Sequence, residues 1–164
     1  ESIAPETQMP HQRLTESVRR HPVVRPGVQD PVQWMLDREL LFRILTTTST
    51  ANVEMFLDGT ALLATMWNFS SWAFHIITVA RNLATDASAV WESKGGLKRS
   101  ATPISLIGTV AQTLVANDGE GWMVNGAVLV DAGPSNNLRI RVTGALTTDI
   151  RWLSYVRLVQ LGNF

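Results

Sequence analysis

The sequence contains no cysteine, which excludes disulfide bonds, thiolate nucleophiles and zinc sites with cysteine ligands. It also lacks an excess of either charge, because 14 basic and 14 acidic residues cancel. A neutral chain has neither the electrostatic footprint expected of a nucleic-acid-binding protein nor a basic block that would hold a membrane surface. We therefore expect neither nucleic acid nor membrane as a partner.

Long apolar runs are absent as well. One of the longest, residues 73–80, is interrupted by His75 and is too short to span a bilayer as a helix. Residues 1–20 contain no continuous apolar core of the kind found in signal peptides. A chain of 164 residues is expected to form one domain that buries roughly 70% of its unfolded surface. The sequence thus predicts a soluble protein made in a cytoplasm.

Residues 1–36 form a segment that differs in composition from the rest. Five of the seven prolines fall within residues 1–31, and proline restricts both its own backbone and that of the preceding residue. We expect an extended arm, which is either a disordered tail or a tether that orders on a partner. The second reading rests on apolar side chains that a solvating tail would not need: Ile3, Met9, Leu14, Val18, Val23, Val24 and Val28.

Residues 37–164 read as one β-domain preceded by a helix-start signal. Asp30 and Pro31 suit the first positions of a short helix reaching Leu36, after which the first core strand is expected at about residues 38–47. Turn signals then recur at short intervals, as in an all-β sandwich or barrel. They include a hairpin dipeptide at Asp58-Gly59, a turn at Gly95-Gly96 and a glycine-rich turn at residues 117–121 before a strand at 122–130. Two packed sheets are expected.

The last forty residues carry the clearest strand pattern. Residues 137–143 alternate between apolar and polar side chains, which indicates a strand with one buried face. Residues 149–161 place Trp152 and Val156 on one face, and Leu153 and Tyr155 on the other, so this strand is apolar on both sides. The short link at residues 144–148 predicts that the two strands pair as a hairpin. The second apolar face predicts a covering subunit.

Four groups of residues together resemble a jelly-roll domain that recurs in tailed-phage virions, in tail-fibre tips and in head-decoration proteins. Residues 71–81 form a Trp-x-Phe strand that ends in Ala-Arg, and residues 87–99 contain a strand, a glycine pair and a basic pair. Residues 105–109 are Ser-Leu-Ile-Gly-Thr. The fourth group is Ile-x-Val-Thr-Gly at 140–144 followed by Ile-x-Trp at 150–152. The resemblance covers about residues 38–161.

This resemblance implies a jelly-roll-like antiparallel β-sandwich with a structural, non-enzymatic function and without a cofactor. In fibres such a domain generally ends a longer chain, so an arm followed by a compact domain is more similar to a capsid decoration or cement protein. The implied protein is a homotrimer on the capsid exterior, assembled in the host cytoplasm, whose arm binds the major capsid protein. The alternative is a tail-fibre or head-fibre tip that binds a host surface glycan.

Few residues qualify as functional sites. His75 lacks the serine or carboxylate motif of a nucleophile site and is interpreted as structural, and the acidic turn at residues 117–120 lacks the spacing of a calcium loop. Most tryptophans are expected in the core or at a subunit interface, and core packing is the favoured reading of Trp67 too. The alternative is that Trp67, which lies near a turn, is exposed and stacks on a glycan together with Tyr155. The residues projecting from the last two strands are a candidate subunit interface: Arg139, Arg141, Arg151, Tyr155 and Arg157. The alternative for the arginines is a solvated sheet face.

Overall fold

A computed structural model of the chain describes residues 16–19, 35–101 and 103–162. In these ranges the regular structure is eleven β-strands and one short 3-10 turn at Asn125–Ala127. The strands form two antiparallel sheets, which confirms the predicted all-β sandwich. The strands are β1 (Glu16–Arg19), β2 (Met35–Thr46), β3 (Val53–Glu54), β4 (Ala64–Thr65), β5 (Ser70–Asn82), β6 (Ser88–Arg99), β7 (Ser105–Leu106), β8 (Ala111–Asn117), β9 (Val128–Ala132), β10 (Asn137–Val142) and β11 (Ile150–Gly162).

The larger sheet is organised around β11. This strand pairs over its length with β2 on one side and β5 on the other, and the sheet continues through β6 to β7 and β8. Burial alternates strictly along β11, as the sequence pattern predicts. Trp152, Val156 and Leu158 point into the sandwich, whereas Leu153 and Tyr155 point away from it. The outward-pointing surface of this sheet is called the outer face below.

The smaller sheet has β10 at its centre. β9 pairs with one edge of β10, while β3 and β4 lie end to end along the other edge. The predicted hairpin at Asp58-Gly59 is therefore wrong, because β3 and β4 are two pieces of one interrupted strand. Between them the chain leaves the sheet, and Phe56 bridges to Arg43 of β2. The Asp58 carboxylate accepts three backbone N–H groups of residues 60–62, which holds the excursion together and lowers the Asp58 pKa far below its usual range.

The predicted hairpin of β10 and β11 is also wrong, because the two strands belong to different sheets. Residues 143–149 carry the chain from the small sheet to the large one. Gly144 sits where this crossing touches β2, and a Cβ at that position would lie 2.5 Å from Thr46 Oγ1. β11 has 13 residues, and β2 and β5 with 12 and 13 match its length, whereas β10 has six. Pairing with the long strands satisfies many more of its backbone groups.

The glycine pair at 95–96 does not form a turn, contrary to the expectation from the sequence. β6 runs through it without interruption. A Cβ on Gly95 would lie 2.8 Å from Phe74 Cζ, and one on Gly96 would lie 3.1 Å from both the Trp72 carbonyl oxygen and Ile107 Cδ1. The two glycines make room for neighbours on the two faces of the sheet.

The beginning of the sandwich also differs from expectation. β2 starts at Met35, so Met35 and Leu36 are strand rather than helix; residues 31–34 lie outside the described ranges. Within the segment predicted as an arm, β1 pairs with residues 37–40 of β2 and covers part of that edge. Later in the chain the predicted strand at 122–130 begins only at Val128, because the 3-10 turn at Asn125–Ala127 precedes it.

Three tryptophans pack together: Trp91 and Trp152 of the large sheet, and Trp122 of the segment before β9. Trp91 and Trp152 lie 5.4 Å apart between ring centroids, and Trp122 packs against both. The indole N–H of Trp152 donates to Thr46 Oγ1 at 2.9 Å, and that of Trp91 donates to the Val124 carbonyl oxygen. The prediction of core tryptophans is confirmed for Trp72, Trp91 and Trp152, which are at most 1% exposed, while Trp122 is half-buried.

Candidate functional site

The outer face of the large sheet carries apolar side chains that no described residue covers. Ile77 and Tyr155 lie opposite each other on β5 and β11, and so do Val79 and Leu153 one step along. Their exposed fractions run from 38% to 46%, and Leu45 on β2 is 50% exposed. A contiguous group of this kind on a folded domain marks an interaction surface. These five residues are called the apolar patch: Leu45, Ile77, Val79, Leu153 and Tyr155.

Three arginines surround one end of the apolar patch. Arg151 lies directly opposite Arg81 on β5, and Arg43 lies opposite Leu153 on β2. With Val79, they line a cleft of about 460 Å³, which is called the arginine cleft below. Gly59 closes one side, because the backbone there approaches the Arg43 side chain so closely that a Cβ would lie 3.4 Å from its Cγ.

The charges in the arginine cleft are unequally compensated. Arg81 forms an ion pair with Asp86 at 2.7 Å, and Arg43 donates to the Asp58 carbonyl oxygen at 3.3 Å. Arg151 is exposed and makes no hydrogen bond or ion pair with any residue in the described ranges. Like charges at directly opposite positions of an antiparallel pair destabilise it. The cleft therefore favours an anionic group from outside this part of the chain.

A charged row separates the apolar patch from the lower end of the same face. His75 lies between Arg157 and Lys94 across the strands, and its Nε2 is 2.7 Å from Glu92 Oε1. Lys94 Nζ contacts the same oxygen at 2.9 Å, and these two partners lower the Glu92 pKa. His75 is thus held by hydrogen bonding on the face shared with Ile77, as the sequence predicts. Below the row, Val159 and Leu161 are again about half exposed.

The five residues of the predicted subunit interface do not share one surface. Arg151, Tyr155 and Arg157 lie on the outer face of the large sheet, whereas Arg139 and Arg141 belong to β10 in the small sheet. Arg139 donates two hydrogen bonds to Asp131 at 2.8 Å each, and Arg141 donates a third. Both arginines are therefore paired with Asp131 inside their own sheet, although Arg141 Nε is buried without a partner among the described residues. Hydrogen bonding to Asp131 raises the pKa of Arg139.

Trp67 is exposed, with 59% of its surface accessible, and Phe69 beside it is 55% exposed. Phe69 has a φ of 56°, a left-handed conformation that is strained for an aromatic residue. Tyr155 cannot complete a glycan site with Trp67. It lies opposite Ile77, seven residues beyond the start of β5 at Ser70, which is a separation of about 23 Å at the strand rise. Phe69 lines a groove whose other residues are mostly polar and include Ser71, Arg99 and Pro103.

The acidic turn at residues 117–120 is a network of local hydrogen bonds. Asp118 accepts from the Ser88 backbone N–H at 2.8 Å, while Glu120 accepts from Asn82, Thr85 and the Trp122 indole. These donors lower the Glu120 pKa. The two carboxylates serve different partners, as the interpretation of a plain turn requires. Within the described ranges, no group of three or more His, Asp or Glu side chains is placed to hold a metal ion.

Most of the predicted arm contacts cannot be placed. Val18 belongs to β1 opposite Arg38, whereas Ile3, Met9, Leu14, Val23, Val24 and Val28 lie outside the described residues.

The described part of the chain has no helix of the length and apolarity needed to cross a membrane. Comparison with protein-family models, with curated protein sequences and with solved structures gives no match.

Sequence reasoning missed the roles of Arg43, Arg81 and Phe69. An aromatic residue between Asn68 and Ser70 gives no sign of its left-handed backbone. Arg43 and Arg81 lie in largely apolar runs without clear alternation, so only their own charge indicates an outward position. Their proximity to Arg151 depends on the register of three strands that are distant in sequence, so no local signal could reveal it.

Proposed function

We propose that this protein is a structural component of a tailed-phage virion that decorates the capsid exterior. It contacts the major capsid protein through residues 1–36 and assembles with other copies of itself as a homotrimer. The observation that carries the proposal is the uncovered apolar surface of the outer face, because a sheet that is apolar on both faces requires a second cover. The likeness of the four sequence motifs to phage virion domains supplies the virion setting.

Two features of the fold support this proposal. The residues of the closing motif are structural, since Ile140, Val142, Ile150 and Trp152 are all at most 1% exposed and carry the chain from one sheet to the other. β1 adds a strand from the arm region to the edge of β2 through backbone pairing. Extended segments bind other proteins in the same way, by backbone hydrogen bonds along a sheet edge.

The test is binding of the purified protein to capsids that lack decoration, followed by co-sedimentation. The full chain should bind with a fixed number of copies per capsid. Deleting residues 1–15, which leaves β1 in place, should abolish binding while the thermal unfolding of the remaining protein stays cooperative. Undiminished binding by this variant would refute a role of the arm. Failure of the full chain to bind any capsid would refute the proposal itself.

A second candidate function, a fibre tip that binds a host surface glycan, is favoured by the exposed Trp67 and the strained Phe69. Exposed aromatic rings stack on sugar faces, and strained backbone tends to concentrate at binding sites. Binding to a glycan array that is lost in Trp67→Ala and retained in Leu62→Ala would favour this function. Leu62 is the matched control because it is 55% exposed and lies in the loop between β3 and β4, whereas Trp67 lies between β4 and β5.

A further inference from the structure

We propose that the arginine cleft binds an extended acidic segment of a partner protein in which a carboxylate and an apolar side chain stand two residues apart. This inference rests on the proposed function and adds to the contact of residues 1–36 a second capsid contact at one end of the outer face, while the other end, with Val159 and Leu161, is left for self-association. The cleft combines three guanidinium groups with a floor of exposed aliphatic side chains, and each part selects for one component of such a segment.

The guanidinium groups are arranged for carboxylates. Arg81 and Arg151 are directly opposite on neighbouring strands, so their Cα atoms are about 5 Å apart, and Arg43 is diagonal to Arg151 at about 7–8 Å. Guanidinium groups bind carboxylates in a two-pronged geometry that ammonium groups cannot reproduce. Arg151 has no polar partner in the described part of the chain, whereas Arg81 already pairs with Asp86, so Arg151 is the guanidinium that an incoming carboxylate would bind first.

The aliphatic floor distinguishes a peptide from a simple polyanion. Val79 and Leu153 lie opposite each other between the arginines and are 41% and 46% exposed. Covering them requires apolar groups beside the charges, which a nucleic-acid backbone or inorganic phosphate does not offer. The chain as a whole is neutral, with 14 basic and 14 acidic residues, so it has no extended positive field to hold a polyanion. A cleft of about 460 Å³ lies within the range of sites that take a ligand of a few residues.

The shape of the face indicates how the segment would lie. Across the sheet, one row of this face runs Leu45, Arg151, Arg81, and the next row runs Arg43, Leu153, Val79. On each of the three strands, one charged and one apolar position therefore stand two residues apart. In an extended segment residues i and i+2 also point to the same side, so a carboxylate and an apolar side chain two residues apart contact both rows.

The experiment is an NMR titration of the full chain with blocked pentapeptides. The probe has the sequence glutamate-serine-leucine-serine-glutamate, which places leucine and both glutamates on one side, and two comparison peptides replace either glutamate by glutamine or leucine by glycine. We expect saturable shifts centred on Arg81, Arg151 and Leu153 with the probe, and affinities lower by about tenfold for each comparison peptide. Equal binding of the glutamine peptide would overturn the charge argument. Binding of inorganic phosphate or a heparin fragment as tight as that of the probe would show a general polyanion site and overturn the proposal.

Variants of the full chain complete the test. Arg151→Gln and Arg81→Gln should each weaken probe binding by about tenfold, because each removes one guanidinium from the cleft. Both side chains are exposed, and Arg81→Gln breaks only the surface ion pair with Asp86. Lys98→Gln is the control, since it removes the same charge on the far end of the same face, and it should bind as the wild type does. Wild-type affinity in both arginine variants would overturn the assignment of the site.

Capsid binding by the same variants separates this inference from the proposed function. If Arg151→Gln loses the probe but binds capsids as well as the wild type, the cleft is not the capsid contact and the inference fails while the proposed function stands. If the wild type binds the probe but no capsid, the proposed function fails and the acidic-peptide site remains.

Discussion

Replacing Gly95 by alanine should destabilise the sandwich, although the substitution adds only one methyl group. A Cβ at this position would lie 2.8 Å from Phe74 Cζ and 3.4 Å from Val110 Cγ2. Phe74 is 4% exposed and cannot swing into solvent, so the core must shift at a cost of about 1–3 kcal/mol. Alanine also lowers the conformational entropy of the unfolded chain, which raises the free energy of unfolding by about 0.4–1 kcal/mol. The net loss should be about 1–2 kcal/mol, or a fall in Tm of about 2–8 °C for a domain of this size.

Urea unfolding followed by tryptophan fluorescence measures this loss directly. Gly121→Ala is the matched control, because nothing lies within 4 Å of a Cβ there and its backbone needs no left-handed conformation. It should leave the free energy of unfolding unchanged or slightly raised. Adding Phe74→Leu to Gly95→Ala should cost less than the sum of the two single changes, since leucine vacates the space that the new methyl group enters. Equal stability of the Gly95→Ala and wild-type proteins would refute the view that Gly95 serves packing, and would favour the turn expected from the sequence.

Three further predictions concern the core, the acidic turn and the outer face. Trp152→Phe should lower the free energy of unfolding by about 2–4 kcal/mol, because it leaves a cavity beside Trp91 and removes the 2.9 Å hydrogen bond to Thr46. A loss below about 1 kcal/mol in chemical denaturation would contradict that packing. Because the folded pKa of Glu120 is depressed, its stabilisation should be complete above the ordinary value of 4.5 and lost as pH falls through the folded value; a carboxyl titration by NMR that gives 4.5 or higher would contradict this. Val159→Lys should reduce self-association in analytical ultracentrifugation without changing Tm, whereas Leu129→Lys on the small sheet should leave self-association intact. The same behaviour of both variants would exclude the outer face as the surface of self-association.

The sequence predicts the class of fold and the faces of its strands better than it predicts their partners. Alternation along β11 correctly assigns Trp152 to the core and Leu153 to the outside, because side-chain direction in a strand is a local property. Pairing is a global property. β10 and β11 are neighbours in sequence and read as a hairpin, yet backbone satisfaction along 13 residues is greater between β2 and β5, which are distant in sequence.

Glycine gave the other misleading signal. At Gly95 and Gly96 the sequence does not distinguish a residue that must turn from one that must be small, and the reason for smallness is Phe74 on a different strand. The same limit applies to the candidate sites. Arg139 and Arg151 look equivalent in sequence, but Asp131 satisfies the first, while in the described part of the chain the second stands unpaired opposite Arg81.

A cryo-electron microscopy map of the native assembly that contains this protein tests the central claim most directly. The account predicts density for the sandwich on the capsid exterior, with trimeric contacts on the outer face and residues 1–36 running across the major capsid protein. Density for the sandwich at the distal end of a tail fibre, with Trp67 and Phe69 pointing away from the particle, would contradict it.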